Sequence, residues 1–213
     1  MIFIKLLLLL PVLASFVARA FLSDRIILKK GEGDVSITGG EMVARILKKG
    51  RASDVKIQVK SRPFMVLGPQ RLVISPTLSK SKRARDVAEA GLLAGLVLMA
   101  QRQSKVVSWR LWAVKFGSAM PIFTAIAMAF AIVMGRSAVL CLVIVAATLG
   151  LATLFLWLTL AVERAAAATV SDMLEETPLV SRRSEGGRLA KLVRAFGWRR
   201  IVPGAIGWIG QKK

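Results

Sequence analysis

Histidine, asparagine and tyrosine are absent from this 213-residue chain, and cysteine occurs once. Without histidine the chain alone builds no His-Glu zinc site, no Ser-His-Asp triad and no imidazole proton shuttle. Without asparagine it has no N-glycosylation acceptor. The lone Cys141 lies inside an apolar run, where a buried thiol is inert and no intramolecular disulfide forms. Acidic residues are scarce as well, 12 against 32 Lys and Arg, which leaves a net charge of +20. Neither a Gly-rich phosphate loop nor a nucleophile elbow supplies other chemistry. No cofactor is expected.

What the chain has in abundance is apolar length. Twenty uncharged residues separate Lys115 from Arg136, and twenty-six separate Arg136 from Glu163. At ~1.5 Å per residue each run crosses a ~30 Å hydrocarbon core. Residues 116–162 therefore read as two transmembrane helices joined at Gly135-Arg136-Ser137. Small residues four apart, Ala125 with Ala129 and Ala146 with Gly150, fit close helix approach. Residues 1–20 are apolar apart from Lys5, Pro11 and Arg19. They are expected to be a third transmembrane helix, an anchor whose Lys5 and Arg19 snorkel to the two interfaces. The alternative is a cleaved signal, because Ala18-Arg19-Ala20 before Phe21 resembles a signal-peptidase site.

Residues 21–103 read as a small basic α+β domain. Thr38-Gly39-Gly40-Glu41 is a capping box, and Met42, Ile46 and Leu47 then share a helical face up to Gly50. Val55, Ile57 and Val59 alternate with Lys56, Gln58 and Lys60 as in a half-buried strand. Residues 64–67 and 72–74 suggest two further strands around Gly68-Pro69, giving a small antiparallel sheet. Ser75-Pro76 opens an expected long helix whose second half, AGLLAGLVLMAQ, is too short to span and is therefore buried or interfacial. Residues 104–162 are an interfacial segment followed by the hairpin. In residues 163–213, Asp172, Glu175 and Glu176 form an acidic patch, and a linker runs from Thr177-Pro178 to Gly187. Leu189, Leu192, Val193 and Phe196 then mark a basic amphipathic helix suited to an anionic surface or a partner subunit.

Charge distribution sets the expected topology. Nineteen basic residues lie between Arg25 and Lys115 and ten follow Val162, whereas Lys5 and Arg136 stand on the other side. The domain and carboxyl terminus are thus expected on the cytoplasmic side, or the matrix or stromal equivalent. Candidate contacts with anionic lipid or protein partners are Lys80, Lys82, Arg83 and Arg85, then Arg188, Lys191 and Arg194, with Trp109, Arg110 and Trp112 forming an interfacial belt. Tryptophans among cations also suit single-stranded nucleic acid, the alternative partner.

The order of features, a TGGEMVARIL helix after an amino-terminal anchor, a strand pair around GPQRLVIS, an apolar helix, a membrane hairpin and AVERAAAATVSDMLEE, resembles the bacterial membrane-bound neutral zinc metallopeptidases over residues 38–176. The resemblance implies a zincin-like domain with a His-Glu-x-x-His motif on the apolar helix and a further glutamate ligand after the hairpin. Here the motif positions hold Ala94, Gly95, Leu96, Val97 and Leu98, and the ligand position holds Glu163. Such catalysis needs two imidazoles one turn apart and a nearby carboxylate. Glu163 has a plainer reading, a charge ending a span at the interface.

The expected protein is an integral membrane α-helical protein with three transmembrane helices and a degenerate zincin-like α+β domain. It is expected to be a pseudoenzyme and a subunit of a larger membrane complex. The alternatives are a surface module binding anionic lipid or RNA, and an active metallopeptidase with a site formed in another way.

Overall fold

The computed structural model describes residues 2–61, 67–68, 70–176, 179–204 and 206. Eight α-helices and a three-stranded sheet are present among them: α1 Ile2–Arg19, α2 Arg25–Lys30, α3 Gly39–Lys49, β1 Lys56–Val59, β2 Leu67–Gly68, β3 Arg71–Ile74, α4 Pro76–Lys80, α5 Ala84–Arg102, α6 Ser104–Val133, α7 Ala138–Glu176 and α8 Arg183–Phe196. A π-helical turn, Ala20–Asp24, joins α1 to α2.

The expected capping box closes the start of α3. Thr38 Oγ1 accepts from the Glu41 amide at 3.3 Å, and Glu41 Oε2 accepts from the Thr38 amide at 3.0 Å. These bonds satisfy helix-end donors and fix where the helix begins. Its buried face, Met42, Val43, Ile46 and Leu47, then packs on α5.

The helix expected from Ser75 onward is two helices. Ser75 caps α4, and the chain breaks at Ser81-Lys82-Arg83 because these residues pair with an earlier segment. The Lys82 carbonyl accepts from the Val35 amide, the Ser81 carbonyl from Gly39, and Arg83 bridges Asp34. The sheet also differs from the expected antiparallel arrangement. Its order is β1-β3-β2, with β1 parallel to β3 and only β2 antiparallel. The chain runs back through β2 at the far edge before β3 enters between the two, so β3 runs the same way as β1. As an edge strand, β1 leaves Ile57 and Val59 exposed, and Val55 just before it reaches the core. Residues 64–66 and Pro69 of the expected second strand and turn lie outside the described residues.

The core forms around α5. Residues 92–98 of this helix are buried on every side, as suits a helix apolar all round. Antiparallel packing sets Gly91 against Val170 and Gly95 against Ala166 and Val170 of α7. A Cβ on Gly95 would stand 2.8 Å from the Ala166 carbonyl oxygen, so only glycine permits this approach. On the same core lies α8, which starts at Arg183 within the expected linker. The expectation of a lipid-facing amphipathic helix is corrected here. Leu189, Leu192, Val193 and Phe196 are buried against α5 and α7, and the stripe is satisfied within the chain. Each such side chain contributes ~1.5–3 kcal/mol of burial.

Two helices, α6 and α7, are long and apolar enough to cross a membrane. Their outward faces carry Phe123, Phe130, Leu142 and Leu158, each about two-thirds exposed (65–67%). The hairpin turn falls where expected, with Gly135 at φ +82°. Ala125 and Ala129 face outward, Gly150 of the other expected pair is buried, and Gly117 of α6 lies against Leu156 of α7. The expected third span is α1, which lies along α7 with Trp157 donating to Ser15 at 2.7 Å. The expected boundary at residue 162 is no boundary. A single 39-residue helix passes from the hairpin into the domain core.

Replacing Gly95 by valine should lower stability by about 2 kcal/mol or more through overpacking. Gly187→Ala, where nothing stands within 4 Å, should be neutral or gain up to ~1 kcal/mol. Thermal unfolding of both variants in detergent checks this; equal midpoints would contradict the α5–α7 packing.

Candidate functional site

The two strongest departures from ordinary surface chemistry face each other at the base of the hairpin. Arg110 of α6 and Glu163 of α7 are 1% and 2% exposed, and both Arg110 Nε, at 2.7 Å, and Nη2, at 2.5 Å, donate to Glu163 Oε1. Glu163 Oε2 has no hydrogen-bond partner among the described residues. Arg110 was expected to face lipid in the belt, and Glu163 to end a span at the interface. The expectation for Arg110 is corrected, for a reason the sequence leaves hidden, and Glu163 still ends the uncharged run but is buried there. Arg110 lies on the α6 face with Val107 and Ala113, all buried, so its guanidinium enters the helix pair and finds the one carboxylate there. The belt survives at its neighbours. Trp109 and Trp112 stack at 5.1 Å, Trp112 stacks on Phe116 at 5.1 Å, and Phe155 meets all three edge-on. This half-exposed cluster stands where the uncharged runs begin, the depth that suits amphipathic rings.

The positions at which the resemblance would put a zinc motif offer no metal chemistry. Ala94, Gly95, Leu96, Val97 and Leu98 are buried in contact with neighbouring helices. The antiparallel α7, with Ala166 beside Gly95, brings Glu163 toward their level, and Arg110 already engages its Oε1. No group of three or more His, Cys, Asp or Glu side chains placed to hold a metal ion occurs among the described residues. The residues present do not fit a bound zinc ion.

The remaining candidates divide. Lys80, Lys82, Arg83 and Arg85 are exposed around the α4–α5 break, with Arg85 3.7 Å from Asp86. Arg194 is exposed and pairs with the acidic patch, 3.4 Å from Asp172 and 3.3 Å from Glu175, so it is not a free lipid contact. The Arg188 Nε donates to the Lys30 carbonyl at 2.7 Å, while the amides of Ala84 and Arg85 donate to the Gly33 and Gly31 carbonyls. The segment after α2 thus draws together the cations of α5 and α8 that lie far apart in sequence.

Lys29 and Lys30 join them, and the sequence did not single these two out. Together with Arg188 and Lys191 they line a shallow cleft whose walls carry no carboxylate. Partial desolvation and then the adjacent Lys191 ammonium hold the Lys30 amine below its ordinary range. Nearby, Glu185 Oε2 accepts from the Ser36 hydroxyl at 2.7 Å and its amide at 3.2 Å, which keeps that carboxyl below the usual carboxylate range. This contact ties the start of α8 to the loop before α3. No family model, curated protein or solved structure matches the chain.

The buried pair can be tested by a double-mutant cycle. Arg110→Met or Glu163→Leu alone should cost ~3–5 kcal/mol, since each leaves a buried charge uncompensated. The double variant should recover most of that loss, because apolar replacements of a buried pair are often neutral. Additive losses in chemical or thermal unfolding would show that the two side chains do not act as one unit.

Proposed function

We propose that this chain is a non-catalytic integral membrane protein, a structural or binding subunit of a larger membrane assembly, built on a scaffold like that of the membrane zinc metallopeptidases. The observation that most supports this reading is the filling of the site positions. Where a zinc enzyme of this layout holds metal and water, Gly95 lies against the Ala166 carbonyl, alanine and leucines pack beside it, and Glu163 is occupied by Arg110. The guanidinium is no base, Arg110 holds Glu163 through Oε1, and no group of His, Cys, Asp or Glu able to hold a metal ion stands with them among the described residues.

The remaining features suit a subunit. The exposed apolar faces of α6 and α7 belong in lipid or against other helices, and α7 joins that part to the basic domain as one continuous helix. In this arrangement α1 is a further anchor beside α7, and the basic surface faces the side on which the positive-inside rule places it. A domain fixed to its anchor in this way holds a partner at a set distance from the membrane.

Gentle detergent extraction from the native membrane, with mass spectrometry of comigrating proteins and metal analysis on the same sample, tests this reading. A fixed set of stoichiometric partners is expected, with zinc far below one equivalent per chain. One equivalent of zinc, or a monodisperse chain without partners, would overturn it.

A further inference from the structure

Where α1 ends beside α5, α6, α7 and α8, the helices enclose a partly open cavity of about 260 Å3. The turn Arg199–Ile201 after α8 forms one wall, held by Ile201 and Val202 packed with Leu160 of α7. Arg19, Arg199 and Arg200 line the cavity with Glu89 and the Ser118 hydroxyl. Glu89 is the one carboxylate among these lining residues and already pairs with Arg199 at 3.5 Å. Arg19 pairs with Asp24 at 3.1 Å. Arg200 is half-buried and has no salt-bridge partner among the described residues.

The depth of the cavity narrows the ligand. On α6 its walls are Val114 and Ser118, on either side of the residue where the uncharged run begins, and on α7 the wall is Leu156, within the other run. Arg19 closes the apolar stretch of α1. The arginines therefore sit near the level of lipid phosphates, and basic pockets between membrane helices favour anionic head groups at that level. A partly desolvated guanidinium lacking an anion is costly, and a phosphodiester offers it paired, charge-assisted hydrogen bonds. The volume is just below the ~300–1,000 Å3 of common small-ligand sites, so it suits a head group with acyl chains left outside. Val114 and Leu156 form an apolar wall continuous with the hairpin, which favours a lipid over a soluble phosphate.

We propose that this cavity binds the phosphodiester of one anionic phospholipid, with Arg200 as its main ligand, Arg199 and Ser118 beside it, and the acyl chains along α6 and α7. This rests on the membrane reading of the hairpin. The site shares no residue with the exposed cations of α5 and α8, so it is separable from general attraction to a charged surface.

The test is native mass spectrometry of the full chain in mild detergent, offered equal phosphatidylglycerol and phosphatidylcholine. The wild-type chain should retain one phosphatidylglycerol in preference. Arg200→Gln should reduce that adduct about tenfold, the loss of one charge-assisted contact. Lys56→Gln with Lys60→Gln, exposed cations outside the cavity, should leave it unchanged. Ser118→Leu, which narrows the cavity and spares every arginine, should reduce it as well and serves if Arg200→Gln fails to fold. Equal retention of both lipids, or an adduct untouched by Arg200→Gln and Ser118→Leu, would overturn the site. Displacement of the lipid by millimolar inorganic phosphate would assign the cavity to a soluble anion and overturn the lipid assignment. Alkaline carbonate extraction of the same membranes separates the two claims. A chain released by carbonate overturns the membrane reading, whereas a retained chain without lipid preference overturns the site alone.

Discussion

The structure depends on one helix that changes its surroundings along its length. Along its first half, α7 presents leucine and tryptophan outward, as a lipid-facing helix does. Along its second half it buries Ala166, Ala167, Val170 and Leu174 in a protein core. The change of partner works because the second half is made of small residues. Alanines at 165–168 let the backbone approach α5 at Gly95 on one side and α8 at Gly197 on another. Larger side chains there would force the three helices apart and expose the apolar stripe of α8.

Arg110 and Glu163 mark the level where the change occurs. Desolvating both charges costs several kcal/mol, and their attraction repays it only with good geometry. Two donors on Glu163 Oε1 offset part of that cost, while Oε2 has no hydrogen-bond partner among the described residues. The pair fixes the lengthwise register of α6 on α7, because sliding either helix by one residue would leave both charges buried alone. The aromatic cluster on the outer face and the arginine-lined cavity on the inner side stand close to this same level. Taken together they form a collar around the level where the uncharged runs of α6 and α7 meet the charged segments, polar groups inside and amphipathic rings outside.

Much of this was legible in the residues. The capping box at Thr38, the glycine turn at 135 and the uncharged runs are local signals, set by neighbours in sequence, and the structure has them where the residues indicated. The burial of α5 also followed from an apolar pattern too short to span. What failed was information carried between distant segments. An amphipathic stripe says that a helix has a greasy face but not which surface covers it, so α8 read equally well as a lipid-bound helix. An arginine between tryptophans looks interfacial until the opposite helix supplies a carboxylate. The parallel pairing of β1 and β3 likewise depends on how the chain crosses back, and the break at Ser81 depends on backbone bonds to residues 35 and 39. The cavity cations Arg19, Arg199 and Arg200 come from the two ends of the chain, and no spacing relates them.

The central claim is that α6 and α7 cross the bilayer while the domain stays on one side. Cysteines placed at the exposed Arg136 and Arg182, one at a time in a Cys141→Ser background, can be labelled with a membrane-impermeant maleimide in sealed, oriented vesicles. The expected result is labelling of Arg136→Cys from one side only and of Arg182→Cys from the other side only. Labelling of both from the same side would contradict the crossing, and the hairpin would have to be read as a helix pair covered by protein.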